Sequence, residues 1–316
     1  MNDSQTTRNR RRLFELLDAA QSAGKRFRPL RDLPAALERQ ALPVFLKHDV
    51  HGVDLASLEH FAGEERDRDI FGTFFFLPPG HPQVGGRWQP DQWVATMQRL
   101  EQMGHEVGLH LDGFDLIART GRPLRDAVGE IVQPLRDAGL TLSCANTHGN
   151  TATPTRDRDG YGVMFDLVEE TARQPDYPRL ANVPPELAET IRTHRCSAAD
   201  LGFTHFGDLP LWTRTHGLVV TNYLSDNNVG RRGTAMIVVH PQTDQGYKLV
   251  DHQPPGSKRS LAAREIIAPR EPMPAPAPQV GERHVPFHGP AMDAEWARLI
   301  TRPCLMLLHP QYYLDA

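Results

Sequence analysis

The run Val44-Phe45-Leu46-Lys47 leads straight into His48-Asp49-Val50-His51, an apolar stretch that ends in three ionisable side chains. On an extended chain residues two apart point the same way, so Asp49 and His51 share a face, while His48 takes the opposite one as packing or support. A carboxylate and an imidazole on one face can hold a divalent metal, or hold a water beside one. Other apolar runs end in the same way. Gly104-His105-Glu106-Val107-Gly108-Leu109 ends at His110, with Asp112 just beyond, and the run through Cys144 ends at His148 in Asn146-Thr147-His148-Gly149-Asn150. Val219–Leu224 ends at Ser225-Asp226-Asn227, and Leu305-Met306-Leu307-Leu308 ends at His309-Pro310. A single such residue is as readily a hydrogen-bonded loop histidine; together they point to a site. Three or four His and Asp ligands converging from different strands make a mononuclear metal site with an open position for water. Thiolate ligation fits less well, because Cys144 is the only cysteine near the cluster and a lone buried cysteine is usually packing, despite its Cys-x-x-x-His spacing to His148. His105, five residues before His110, faces the other way at the opposite strand end, which is a structural position.

The elements that must carry these residues follow from the apolar pattern. Residues 1–40 read as an N-terminal helical extension broken by Pro29 and Pro34. Strands are expected at Val44–Leu46, Ile70–Leu77, Glu106–Leu109 and Leu140–Cys144. Between them lie a helix after Pro90, with Trp93, Val94, Met97 and Leu100 on one stripe, and a second through Leu124, Ala127, Val128, Ile131, Leu135 and Ala138, closed by Gly139. Alternation of strand and helix predicts an α/β fold, a parallel sheet with helices outside it, and a barrel is one way to close such a sheet. Apolar runs at 217–224, 236–239 and 304–308 supply later strands. Residues 251–290 hold nine prolines, including Pro-Ala-Pro-Ala-Pro at 274–278, and read as a long excursion and not as a second domain.

A chain of 316 residues with a formal charge of −4 has no basic excess to neutralise phosphates, which argues against nucleic acid as a partner. The cluster Arg8, Arg10, Arg11 and Arg12 opens an amphipathic segment and reads as a solvated helix end. No apolar run reaches the length of a membrane span and the N-terminus lacks the core of a secretory signal, so a cytoplasmic protein is expected. Three widely spaced cysteines, Cys144, Cys196 and Cys304, suit a reducing compartment and not a disulfide framework.

Taken in order, these segments resemble the polysaccharide deacetylase (NodB-homology) superfamily, in particular the branch whose first motif reads His-Asp-Val-Asp. His48-Asp49-Val50-His51 stands where that motif does, and residues 104–110 resemble the second motif. Asn146-Thr147-His148-Gly149-Asn150 resembles the His-Gly motif, and Tyr223-Leu224-Ser225-Asp226-Asn227 the Ser-Asp motif. Leu307-Leu308-His309-Pro310-Gln311-Tyr312-Tyr313 resembles the closing Leu-Thr-His-Pro motif with its aromatic pair. The resemblance spans roughly residues 42–313, and it implies a distorted (β/α) barrel as one domain over 41–316. It also implies a metal-dependent hydrolase that removes an acyl group, commonly acetyl, from an amide nitrogen on a sugar.

Carried over to this chain, the resemblance makes Asp49 the general base, His110 and His148 metal ligands, and His309 the acid that protonates the leaving amine. His48, Asp112, Asn150, Asp226 and Tyr312 fall in substrate-binding or supporting places. Two departures stand out: His51 replaces the second carboxylate, and Phe114 occupies the later position of the commoner His-x-x-x-His motif. An imidazole in place of a carboxylate lowers the negative charge of the site and favours zinc. Two assignments remain open: Asp49 as base with His51, His110 and His148 as ligands, or Asp49 as a ligand with the base supplied by Asp112 or Asp226. Trp88, Trp212, Tyr312 and Tyr313 are candidates to stack on a sugar ring or to fill the core. The substrate reading is a sugar or a sugar-bearing small molecule. Its alternatives are a non-sugar amide or ureide, and a barrel that binds a glycan without turning it over.

Overall fold

The structure is a computed structural model that describes residues 4–32, 44–148, 167, 185–207, 222–239, 281–301 and 304–314. The chain gathers into two compact units, one built from Met1–Val107, Val220–Gln242 and Gln279–Ala316, the other from Gly108–Val219 and Thr243–Pro278. Each combines strands, largely parallel, with helices.

In the first unit the central strand is β2 (Val44–Val50), buried along its whole length, as a run of Val, Phe and Leu flanked by strands on both edges requires. On one edge β1 (Phe27–Arg28) pairs in parallel with its start, Phe27 opposite Val44, and β3 (Thr73–Phe76) pairs in parallel with its end, Asp49 opposite Phe75. On the other edge lies β10 (Cys304–Leu308), also parallel, with Leu308 opposite His48; β7 (Asn222–Ser225) follows in parallel beyond it. Then β8 (Thr234–Val239) and β9 (Gly281–Pro286) continue antiparallel. That reversal departs from the all-parallel sheet expected from the sequence. Only residues 226–233 join β7 to β8, and a parallel return needs a crossover of about a dozen residues or more. The chain instead makes the short helix α7 (Val229–Arg232) and turns at Gly233, whose φ is +65°.

The described N-terminal residues pack into this unit. Its helix α1 (Gln5–Ser22), capped by Ser4, buries Leu13, Phe14, Leu16, Leu17 and Ala20. The Trp296 indole of α8 (Pro290–Leu299) donates to Leu16 O at 2.6 Å, and Asn9 Nδ2 donates to Tyr312 O at 3.2 Å. Helices α2 (Leu55–Asp67) and α3 (Pro90–Gln102) complete this unit; on α3 the buried stripe is Trp93, Thr96, Met97 and Leu100. Of the interval read as a Pro-rich excursion, 251–280 lies outside the described residues, and 281–286 is strand β9.

Strand β4 (Glu106–Leu111) starts in the first unit and runs on into the second. There it pairs in parallel with β5 (Cys144–Thr147), His110 opposite Asn146, and β5 pairs in parallel with β6 (His205–Phe206). The strand expected over Leu140–Cys144 begins only at Cys144, because Leu142 has φ +39° and cannot continue an extended run. Between β4 and β5 come α4 (Gly113–Thr120) and α5 (Leu124–Asp137), the latter burying Leu124, Ala127, Val128, Val132 and Leu135. After β5 comes α6 (Pro185–His194). Among the described residues no helix is long and apolar enough to cross a membrane.

Candidate functional site

In the first unit β2 delivers a row of buried polar side chains. Asp49 is 5% exposed, and Lys47 Nζ stands 3.9 Å from its Oδ1 while lying over the Phe75 ring at 5.8 Å. Lys47, taken from the sequence as part of the apolar lead-in, thus belongs to the polar row; its i, i+2 relation to Asp49 was the available signal. His48 turns the other way. It stacks on Phe74 at 4.1 Å, with Nε2 3.2 Å from Oε2 of Glu65 on α2, and both residues are fully buried. His48 is therefore packing behind the strand, and Glu65, which no sequence pattern singled out, is its partner.

His309 follows β10, one residue past the Leu308–His48 pair, so the strand register carries it alongside Asp49. Asp226, at the end of β7, accepts from the His309 backbone N at 2.6 Å and stands 2.5 Å from its Nδ1. Burial, the largest influence on this imidazole, works against its charged form. The charge and hydrogen bond of Asp226, aided by the charge of Asp49, outweigh that penalty and raise the His309 pKa. With Nδ1 committed to Asp226, Nε2 is the nitrogen that can deliver a proton. Asp226 thus orients a histidine. His51, half-buried, sets its ring edge-on to His309 with centroids 5.3 Å apart, and Gln311 Nε2 stands 3.3 Å from its Nδ1.

The aromatic candidates separate clearly. Tyr313 is 1% exposed, and burial, then the charge of Asp226, pushes its hydroxyl pKa well up, so it is a core residue. Trp88 is likewise buried, its indole donating to Val53 O at 2.7 Å. Tyr312 is half-buried beside His309, and its ring excludes any side chain at Gly230, where a Cβ would lie 2.5 Å from Cδ1. Trp212, Gly149 and Asn150 lie outside the described residues.

In the second unit the parallel register places His110 against Asn146, and Nδ1 lies 2.7 Å from Oδ1 of the asparagine. An amide oxygen accepts only, so Nδ1 donates and Nε2 keeps its lone pair, the state in which an imidazole binds a metal. The His148 ring stands perpendicular to that of His110, centroids 4.8 Å apart, and His148 Nδ1 is 3.6 Å from Asp112 Oδ2. Asp112 also caps α4, accepting from Asp115 N at 3.0 Å. All four side chains are at most 5% exposed.

Among the described residues the side chains that offer ligand atoms to a metal ion are His51, His81, His110, Asp112 and His148. Asp49 is not among them. His81, buried, with Nδ1 accepting from Gln83 N at 3.2 Å, escaped the sequence reading. It follows β3 just past Pro78-Pro79-Gly80, so the strand-end rule that found the other histidines also reaches it. Buried His and Asp groups of this kind suit a divalent ion, since a neutral imidazole with its second nitrogen already bound to an acceptor is a preorganised ligand. Compared with family models, with curated proteins and with solved structures, the chain has no significant match.

Proposed function

We propose that this protein is a metal-dependent hydrolase that removes an acyl group, acetyl foremost, from the amide nitrogen of a sugar or a sugar-bearing small molecule. The observation that carries the reading is a buried carboxylate, Asp49, on the strand adjacent to a buried histidine whose proton affinity Asp226 raises. Amide hydrolysis needs such a pair, because the attacking water must lose a proton and the amine nitrogen must gain one before it leaves. His110 and His148 would hold the ion, with His51 as the third ligand; the rival set is His81 with Asp112 and His148. A divalent ion bound there, zinc by the largely imidazole donor set, would supply an acidified water and polarise the amide carbonyl. Asp49 takes the proton of the attacking water as the new C–O bond forms. His309 holds its proton at Nε2 and releases it to the nitrogen as the C–N bond breaks. On this reading the fold is the distorted (β/α) barrel of the polysaccharide deacetylases that the motifs resemble.

A second reading keeps this chemistry and replaces the sugar by a small non-sugar amide or ureide. It is favoured by the loss of Trp88 and Tyr313 to packing, which leaves Tyr312 as the described aromatic candidate to stack on a sugar ring. Competition between N-acetylhexosamine conjugates and cyclic amides in a product-amine assay separates the two.

The test is metal content together with turnover. Protein purified without chelator should carry about one divalent ion per chain. Asp49→Asn should keep that ion while losing activity by roughly 10²–10⁴-fold. A metal-free wild-type protein, or a His110→Ala variant of full activity, rules the proposal out.

A further inference from the structure

We propose that Gln311 is a positioning residue that sets the tautomer of His51 and so makes this histidine a metal ligand; the inference rests on the metal-centre reading above. His51 and Gln311 are 260 residues apart in sequence, yet their Nδ1 and Nε2 atoms stand 3.3 Å apart. Gln311 sits on the 3-10 turn Pro310–Tyr312 that follows His309. That turn is pinned by Tyr312 N donating to His309 O at 3.0 Å, Tyr313 N to Pro310 O at 2.9 Å, and Asn9 to Tyr312 O at 3.2 Å.

The other end of the amide supplies the second observation. Gln311 Oε1 is buried and has no hydrogen-bond partner among the described residues. Oxygen and nitrogen of a glutamine amide have nearly the same shape, so a half-turn about the terminal bond exchanges them without repacking. The half-turn brings the unpaired oxygen onto His51 Nδ1.

The two orientations have opposite consequences for the imidazole. Where the amide nitrogen donates to Nδ1, the ring proton of neutral His51 is on Nε2, which then cannot coordinate. Where the amide oxygen faces Nδ1, the proton is on Nδ1 and Nε2 keeps its lone pair for a metal. Ligating histidines nearly always give their second N–H to an oxygen acceptor, as His110 does to Asn146. A carboxylate at position 51 would need no such partner, whereas an imidazole does. Gln311 is thus the counterpart of having His51 at the end of β2.

Zinc affinity, measured by competition of zinc with a chromophoric chelator on purified full-length chain, tests this. Gln311→Met keeps the volume and removes the acceptor, and it should weaken zinc binding roughly 10- to 100-fold. Gln311→Glu keeps an acceptor only, and it should bind at least as tightly as wild type. His51→Ala should weaken zinc binding on its own, and adding Gln311→Met to it should cost nothing further, because the glutamine acts through that ring. Long-range proton–nitrogen spectra of the metal-free wild type should show His51 protonated on Nδ1. Wild-type zinc affinity in Gln311→Met, or the same penalty with and without His51, overturns the role of Gln311 while leaving the metal site standing. A wild-type chain that takes up no zinc overturns both. Should Gln311→Met fail to fold, the Gln311→Glu comparison and the His51 spectrum still decide.

Discussion

A histidine as deeply buried as His309 sheds its proton readily unless a carboxylate stands against it, and Asp226 does so through both its oxygens. The sign of the resulting pH dependence follows. In the proposed role of acid His309 must be protonated, so activity should be present below its raised pKa and be lost as pH climbs through it. Asp226→Asn removes the charge that holds that pKa up. The alkaline limb of the pH–rate profile should therefore move to lower pH, with kcat at neutral pH down by about 10²–10⁴-fold. An alkaline limb that stays in place would show that another group limits the rate. At this scale the sequence named the titrating residues but not their partners. That Asn146 faces His110 and that Glu65 faces His48 depend on strand register and helix packing, which residue types alone do not encode.

Among the elements, β4 shows how a histidine away from the site holds the scaffold. His105, just ahead of that strand, accepts at Nδ1 from Gly72 N at 3.2 Å, and its Nε2 lies 3.0 Å from Ala62 O on α2. One neutral ring thereby ties the approach to β3 to a helix. Burial, the largest influence, lowers the His105 pKa despite the opposing charge of Glu65. As pH falls below the ordinary histidine value of about 6.5, the unfolded chain takes up the proton first, and folded stability declines. His105→Ala should cost about 2–5 kcal/mol, because two buried backbone groups lose their partner. It should also flatten the stability curve below about pH 6.5, both measured by urea denaturation. If the variant keeps the wild-type slope with pH, the titrating group lies elsewhere. The elements themselves were legible where a strand is a continuous apolar run, as in β2 and β10. They were not legible where one backbone angle decides, as at Leu142, or where a short connection forces a reversal, as between β7 and β8.

For the whole chain, a bound ion should appear as stability. A ligand that binds only the folded state at about 100 times its Kd adds roughly 2.7 kcal/mol. Calorimetry with zinc and with chelator should therefore show a higher unfolding midpoint in zinc, and the chelated protein should recover it when zinc is returned. Because the chain forms two compact units, the scan need not be a single transition. Equal midpoints with and without zinc would argue against a resident ion.

The sequence by itself determined the chemical inventory of this protein. Apolar runs that end in His or Asp are visible one residue at a time, and extended-chain alternation alone places Asp49 and His51 on one face and His48 on the other. Tertiary structure decided what each of those groups can do. Whether an imidazole is an acid, a ligand or a strut depends on which atom faces each ring nitrogen. Asp226 against His309, Asn146 against His110, Ala62 against His105 and Gln311 against His51 are contacts between residues far apart in the chain. Only folding brings them within the roughly 3 Å over which a hydrogen bond fixes a proton.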